Sequence, residues 1–380
     1  MQPCVLLIPH GFQQHYDLGF ANAVARKGFR VDLVCSNNMS RESVDKRITC
    51  NYLGQNKNET LSFAKRAELF LRYHTKLIIL ALHRRHTIMH ITGGLRFEWL
   101  TGVLEALIFR FLGRGYVLTV HNIVPHDRNT RLYRLKYRLV YGIPHFLIVH
   151  TEKMKRELTE HFGICARRIV VMQHGINDIV PDHGRPKREC REAIGAPLNK
   201  LLLLFFGNLL PYKGLGRLLE AMKVLDERFA LVVAGKPKQK TYEALITEII
   251  DNHSARQRIV FRPGWVADED VATYFRAADA VVMPYQHIDQ SGVLFLALRF
   301  GVPIISTDVG AIRDYVGDGI GVIADGMDVE ALVRAVEKFY SQRDGFVSVK
   351  ITECAQRFSW DETIRPVVAL YRQMWSRCEI

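Results

Sequence analysis

The chain has 380 residues, 48% of them hydrophobic and 24% charged, a composition that fits a folded protein of about two domains and excludes a disordered class. Its longest aliphatic runs, such as 77–82 and 201–206, fall far short of the roughly 20 residues that span a bilayer. The start Met1-Gln2-Pro3-Cys4 has no basic signal region, and seven cysteines without a CxxC pair point to reduced thiols in a cytoplasm. The formal net charge of +13 is one-sided, since residues 1–180 hold 26 Lys and Arg against 13 acidic residues while 181–380 hold 26 against 26.

In chain order, strand-like runs at 5–9, 29–35, 88–92, 116–120, 146–150 and 169–172 alternate with helical stretches at 17–26, 97–112 and 152–161, the last opened by Thr151 as an N-cap. Such alternation predicts a parallel sheet wrapped by helices. Basic residues interleave with apolar ones at Lys65-Arg66, Arg72, Lys76 and Arg84-Arg85, and again from Arg131 through Arg138. On a helix these rows fit either anionic lipid headgroups or the solvated face of an amphipathic helix packed on a sheet. No helix-turn-helix, zinc-finger or RNP-like pattern supports nucleic acid. His83-Arg84-Arg85-His86 lacks a neighbouring carboxylate or Cys and reads as basic surface, so no metal site is expected.

The polar segment 177–200, marked by Pro181, Pro186 and Pro197, reads as a linker with a short helix. A second series follows, with strands at 201–206, 230–233, 258–261, 280–283, 303–307 and 321–323 and helices at 215–225, 241–252, 267–277, 293–300 and 329–340. Two Rossmann-like α/β domains across a cleft are the simplest architecture. Within the second, Asp289-Gln290-Ser291-Gly292-Val293 lies between a strand and a helix, which puts the N–H groups of Ser291, Gly292 and Val293 in a first helical turn able to face an anion. Lys213 follows strand 201–206 through Gly207 to Tyr212 and would add a positive charge there. The dull alternatives are a solvated turn lysine and a simple helix cap.

The runs Phe206-Gly207-Asn208-Leu209-Leu210-Pro211-Tyr212-Lys213-Gly214-Leu215, Ala278-Asp279-Ala280-Val281-Val282-Met283-Pro284-Tyr285 and Gly301-Val302-Pro303-Ile304-Ile305-Ser306-Thr307-Asp308 together resemble glycosyltransferase family 4, a family of retaining enzymes. In the first half the likeness is carried by Gly28-Phe29-Arg30-Val31, His121-Asn122 and His174-Gly175-Ile176. The resemblance implies the GT-B type fold: an acceptor-binding domain over 1–180, a donor-binding domain over 181–358, and a terminal helix within 359–380 crossing back to the first domain. It implies donor contacts from Asn208, Lys213, Gly264, Val266, Tyr285, Asp289, Gln290, Ser291, Gly292 and Val293, and acceptor contacts from His10 and Gly11. It gives His121 and Lys213 the catalytic places.

Three departures from the family pattern stand out. Asn208 occupies the place of an Arg that usually shares the diphosphate. Two glutamates with seven residues between them are replaced by Ile288 and Leu296. The loop after the first strand keeps one glycine, Gly11, instead of two. The expectation is a metal-independent hexosyltransferase without a cofactor, in which the departing phosphate takes the acceptor's proton. Its donor would be a nucleotide diphosphate sugar. The acceptor would be a glycan or lipid-linked intermediate at the inner membrane face, reached from the cytoplasm through the basic half. The alternatives are a non-catalytic sugar-nucleotide-binding subunit of a transferase and a nucleotide-sugar epimerase.

Overall fold

The computed structural model describes residues 2–10, 14–35, 44–53, 62–93, 100–123, 131–288 and 291–376. The chain divides into two compact units, one formed by Met1–Gly175 with Phe358–Ile380 and the other by Ile176–Arg357.

The first unit is a seven-stranded parallel sheet. Its strands are β1 (Cys4–Ile8), β2 (Arg30–Cys35), β3 (Ile48–Tyr52), β4 (Ile88–Ile91), β5 (Gly115–Thr119), β6 (Phe146–Val149) and β7 (Ile169–Val171), in the order β3-β2-β1-β4-β5-β6-β7. Strand β1 pairs on both sides, Val5 with Val31 and with Ile88. Being covered on both faces, β1 and β5 are buried throughout and read as continuous apolar runs. One face carries α2 (Phe63–His83), α3 (Leu100–Leu112), α4 (Arg131–Gly142) and α5 (Glu152–Phe162), whose Leu77, Phe109, Tyr141 and Phe162 meet Leu6, Met89 and Leu118. The other carries α1 (Gln14–Arg26) and the C-terminal segment, with Phe20, Val24, Trp360 and Tyr371 on Val5, Ile88 and Val117.

The second unit is a six-stranded parallel sheet of β8 (Leu201–Phe206), β9 (Phe229–Gly235), β10 (Ile259–Pro263), β11 (Ala280–Met283), β12 (Ile304–Ser306) and β13 (Gly321–Ile323), ordered β10-β9-β8-β11-β12-β13. Its helices are α6 (Lys187–Ile194), α7 (Leu215–Val224), α8 (Lys240–Asp251), α9 (Asp268–Ala277), α10 (Gly292–Arg299), α11 (Ile312–Tyr315), α12 (Val329–Gln342) and α13 (Ser348–Gln356). Two buried arginines tie loops to this core. Arg191 donates to the carbonyls of Ala277, Leu198 and Lys200 and to Asp279, which orders the proline-marked segment. Arg258 donates to the carbonyls of Met222 and Leu225, the last acceptors of α7, where a cation suits the helix dipole.

Strand β3 was not among the expected elements. Its Ile48-Thr49-Cys50-Asn51-Tyr52 is polar at every second position because it is an edge strand. Helix α1 starts at Gln14, a turn before the expected residue 17. The single terminal helix expected within 359–380 is two helices, α14 (Trp360–Thr363) and α15 (Arg365–Ser376), because Pro366 has no N–H to continue a ladder yet suits a first turn. Trp360 seats this segment on the first unit: a Cβ at Gly19 or at Gly175 would collide with its indole, and Arg26 pairs with Asp361 at 3.0 Å.

Candidate active site

In a doubly wound sheet, ligands bind beyond the carboxyl ends of the strands where the strand order reverses, because the helices on either side diverge there. In the second unit that place lies between β8 and β11. The chain leaves β8 through Gly207, whose φ of +97° suits glycine, and a Cβ there would stand 3.3 Å from Val293 Cγ2 and 3.4 Å from Lys213 Nζ. The lysine amine and the first turn of α10 therefore meet at one backbone position. Lys213 is fixed by a short 3-10 turn, Pro211–Lys213, ended by Gly214 in the left-handed conformation. That glycine is required twice, since a Cβ would also strike the carbonyl of Pro284 after β11. The Gln286 N–H donates to the Tyr212 carbonyl at 2.8 Å and closes the turn against the β11 loop.

Lys213 is only 8% exposed, with its ammonium 5.5 Å from the centre of the Tyr285 ring. Burial, and then the charge of Lys238, bring its pKa down to about 8. Tyr285 is buried, its hydroxyl 3.4 Å from the Ser291 hydroxyl, and its carbonyl accepts from Thr307 at 2.6 Å. Ser291 is the N-cap residue of α10 but makes no side-chain cap. Without a side-chain cap from Ser291, the first turn of α10 can offer N–H groups to an anion beside Lys213.

Of the other expected donor residues, Asn208 is half-buried beside Gly207. Gly264 has φ +137° and donates from its N–H to the Gly235 carbonyl at 3.0 Å, which sets Val266 and the exposed Trp265 on the neighbouring strand end. Asp289, Gln290 and the acceptor candidate Gly11 lie outside the described residues. Ile288 is half-buried, and Leu296, at the second glutamate position, is core. The sequence reading missed Lys238. It is exposed after β9, with Leu209 bridged to Pro237 beside it, and it is a second positive charge near Lys213 where Asn208 supplies none. It also missed Gly235, where a Cβ would collide with the Gly207 carbonyl, so a glycine after β9 is what lets β8 end where it does.

In the first unit the corresponding edge is lined by histidines. His10 follows β1 and is 1% exposed, with Nε2 3.1 Å from the buried Glu105 carboxylate and Nδ1 3.2 Å from the Tyr73 hydroxyl. His121 follows β5 and is half-buried, with Nε2 on the Thr92 carbonyl at 2.6 Å and Nδ1 3.2 Å from His150 Nε2. Burial lowers its pKa. His121 Nε2 and His10 Nδ1 are therefore hydrogen-bonded inside the unit, while His10 Nε2 lies near Glu105 without a hydrogen bond and His121 Nδ1 faces His150 Nε2. Among the described residues no group of three or more His, Cys, Asp or Glu is placed to hold a metal.

The chain is similar to known proteins along nearly its whole length. The family model described as glycosyl transferases group 1 matches residues 186–355, and that of glycosyltransferase family 4 matches 16–178. The D-inositol 3-phosphate glycosyltransferase of Corynebacterium urealyticum is 25% identical over 320 residues, 78% of this chain and 74% of that one. The protein of the same name from Geodermatophilus obscurus is 29% identical over 236 residues, 59% of this chain but only 52% of its own length. Among solved structures, sucrose-phosphate synthase from Thermosynechococcus elongatus superposes with a TM-score of 0.78 at 17% identity, covering 99% of this chain and 100% of that one. Anabaena HepE, in complex with UDP, superposes at 0.74 and 15% identity, covering 98% and 100%. Two parallel-sheet α/β units of the GT-B kind, matched in turn by both family models, make this chain a member of glycosyltransferase family 4.

Proposed function

We propose that the protein is a retaining, metal-independent hexosyltransferase that moves a sugar from a nucleotide diphosphate donor to a membrane-associated glycan or glycolipid. The observation that carries this reading is the meeting of the Lys213 amine with the first turn of α10 at Gly207. That place suits a diphosphate, whose charge grows as the bond from the sugar C1 to its oxygen breaks. Lys238 stands in for the missing arginine as a second cation. His121 keeps its Nε2 on the Thr92 carbonyl and His10 its Nδ1 on the Tyr73 hydroxyl, contacts inside the first unit that support a reaction in which the acceptor oxygen bonds to C1 while its proton passes to the departing phosphate. HepE has been solved with UDP and with UDP-glucose, which supports a nucleotide sugar as the donor.

The acceptor side rests on the outer faces of α2, α3 and α4. These adjacent helices expose Leu71, Ile79, Leu104, Phe111, Leu135 and Leu139, each at 49% or more, and Phe111 at 81%. The three helices hold nine lysines and arginines against two carboxylates, of which Glu105 is buried. Apolar side chains framed by cations suit an anionic lipid surface, so the enzyme would work on the inner membrane face from the cytoplasm. No helix among the described residues is long and apolar enough to cross a membrane.

The test has two arms. Pure protein given a panel of nucleotide sugars should release nucleoside diphosphate slowly, and faster with a membrane extract as acceptor. It should also sediment with anionic liposomes and not with neutral ones, and equal weak sedimentation would remove the lipid surface. A second reading, a non-catalytic binding subunit, is favoured by Ile288 and Leu296 at the glutamate positions, and donor binding with no release under any condition would select it.

A further inference from the structure

Hydrogen-bond bookkeeping in the first unit exposes a proton that the neutral side chains cannot supply. His150, 1% exposed after β6, faces the Met172 carbonyl through Nδ1 at 2.9 Å. His121 faces the Thr92 carbonyl through Nε2 at 2.6 Å. A carbonyl only accepts, so each of these nitrogens must carry a hydrogen. The two remaining nitrogens, His121 Nδ1 and His150 Nε2, then face each other at 3.2 Å with a lone pair apiece. Three hydrogens on four nitrogens satisfy every contact; two leave a repulsive gap in the middle. The complete set is a monocation.

The surroundings oppose that charge. Burial lowers the pKa of His121 and, most strongly, of His150, on which the charges of His121 and then His174 also weigh. The groups around the pair are Tyr16 from α1, edge-on to His121 with ring centres 4.6 Å apart, and Asp17, whose carboxylate accepts from the Thr92 hydroxyl at 2.6 Å. His90 in β4 is spanned by the Tyr371 and Thr119 hydroxyls, and His174 after β7 is bonded to the Gly175 carbonyl. Burial holds these two at about 3 and about 4, so they stay neutral.

We infer that His121 and His150 form a proton-sharing dyad that takes up one proton when a phosphoryl group binds at the carboxyl edge of the first sheet, with His150 the positioning residue that holds the His121 ring. His121, half-buried where His150 is 1% exposed, is the member of the pair nearer the solvent from which such an anion comes. The inference rests on the transferase reading only in that a transferase brings phosphoryl groups to the protein, on its donor or on a phosphorylated acceptor.

The test is calorimetry on the full chain at pH 7 in buffers of different ionisation enthalpy, with UDP in one arm and a hexose phosphate in the other. Wild type should take up close to one proton with the ligand that reaches the dyad, and His150→Phe should bind the same ligand with uptake near zero. Which arm shows the uptake identifies the source of the phosphoryl group. Histidine-selective 15N spectra of the wild type need no variant: the His121 and His150 signals should move from the neutral to the shared-proton range on binding. Binding without proton uptake, or uptake unchanged in His150→Phe, overturns the dyad and leaves the transferase reading standing, whereas no binding of UDP at all would strike at that reading itself.

Discussion

The two sheets end in different chemistry at the same topological place. Beyond β8, β9 and β11 the edge is built from backbone: Gly207, Gly214 and Gly235 hold positive φ, two of them where a Cβ would strike a carbonyl, and a helix begins without a side-chain cap. Beyond β1, β5 and β6 the edge is built from side chains, with His10, His121 and His150 each bonded to an internal partner. A diphosphate needs many N–H donors at close approach, and only bare backbone offers them at that density. An acceptor is recognised by shape and by single polar contacts, which side chains can supply and vary.

The sharpest break of this comparison is a methyl group. Gly235→Ala puts a Cβ into the Gly207 carbonyl at φ +149° and should cost about 3 kcal/mol in urea unfolding. Gly93→Ala after β4, where the nearest atom would lie at 3.3 Å, should cost about 1 kcal/mol. Equal losses would mean that the second edge is not specified by its backbone.

Lys213→Met keeps the buried stem and removes the charge. Donor affinity should fall roughly 10- to 100-fold, the worth of a charge-assisted hydrogen bond of about 1.5–3 kcal/mol. The melting temperature should hold or rise, since a buried cation is no longer desolvated. A titration of UDP against both proteins reads the difference, and an unchanged constant would take the lysine out of the site.

This part of the site was legible because backbone constraints leave a sequence trace. Phe206-Gly207 with Lys213-Gly214, and Ser291-Gly292 ahead of an apolar helix, say where the chain turns and where amides point. The histidine edge was legible only as a set of residues. The partners of His121 are the carbonyl of Thr92 and the ring of His150, each 29 positions away, and a carbonyl leaves no mark in a sequence. Lys238 escaped for a similar reason: an exposed lysine after a strand looks like any other until Leu209 bridges Pro237. Among the elements, the core strands declared themselves by continuous apolar runs, and the edge strand β3 did not.

The pH dependence of donor binding sharpens the contrast further. The free Lys213 is held at about 8, below a lysine's usual range, by burial and by Lys238. Below pH 8 it is already an ammonium and affinity should be flat. Above pH 8 the free site is neutral, and because a diphosphate favours the charged form, binding must draw in a proton, so affinity should fall by up to tenfold per pH unit. Lys213→Met should show no such slope between pH 8 and 9.

The smallest effect tests whether the second cation belongs to the same site. Lys238 is exposed, so solvent screens it and its share of donor binding should be about 0.2–1 kcal/mol, a loss of up to fivefold in Lys238→Ala. Removing it should also let the Lys213 pKa rise, because a like charge is gone, and the break in the pH profile of UDP binding should move upward from 8. The two readouts are linked through one field. A loss of affinity with the break unmoved would place Lys238 on another part of the nucleotide, and a break that moves without any loss would leave it as a neighbour of Lys213 that touches no ligand.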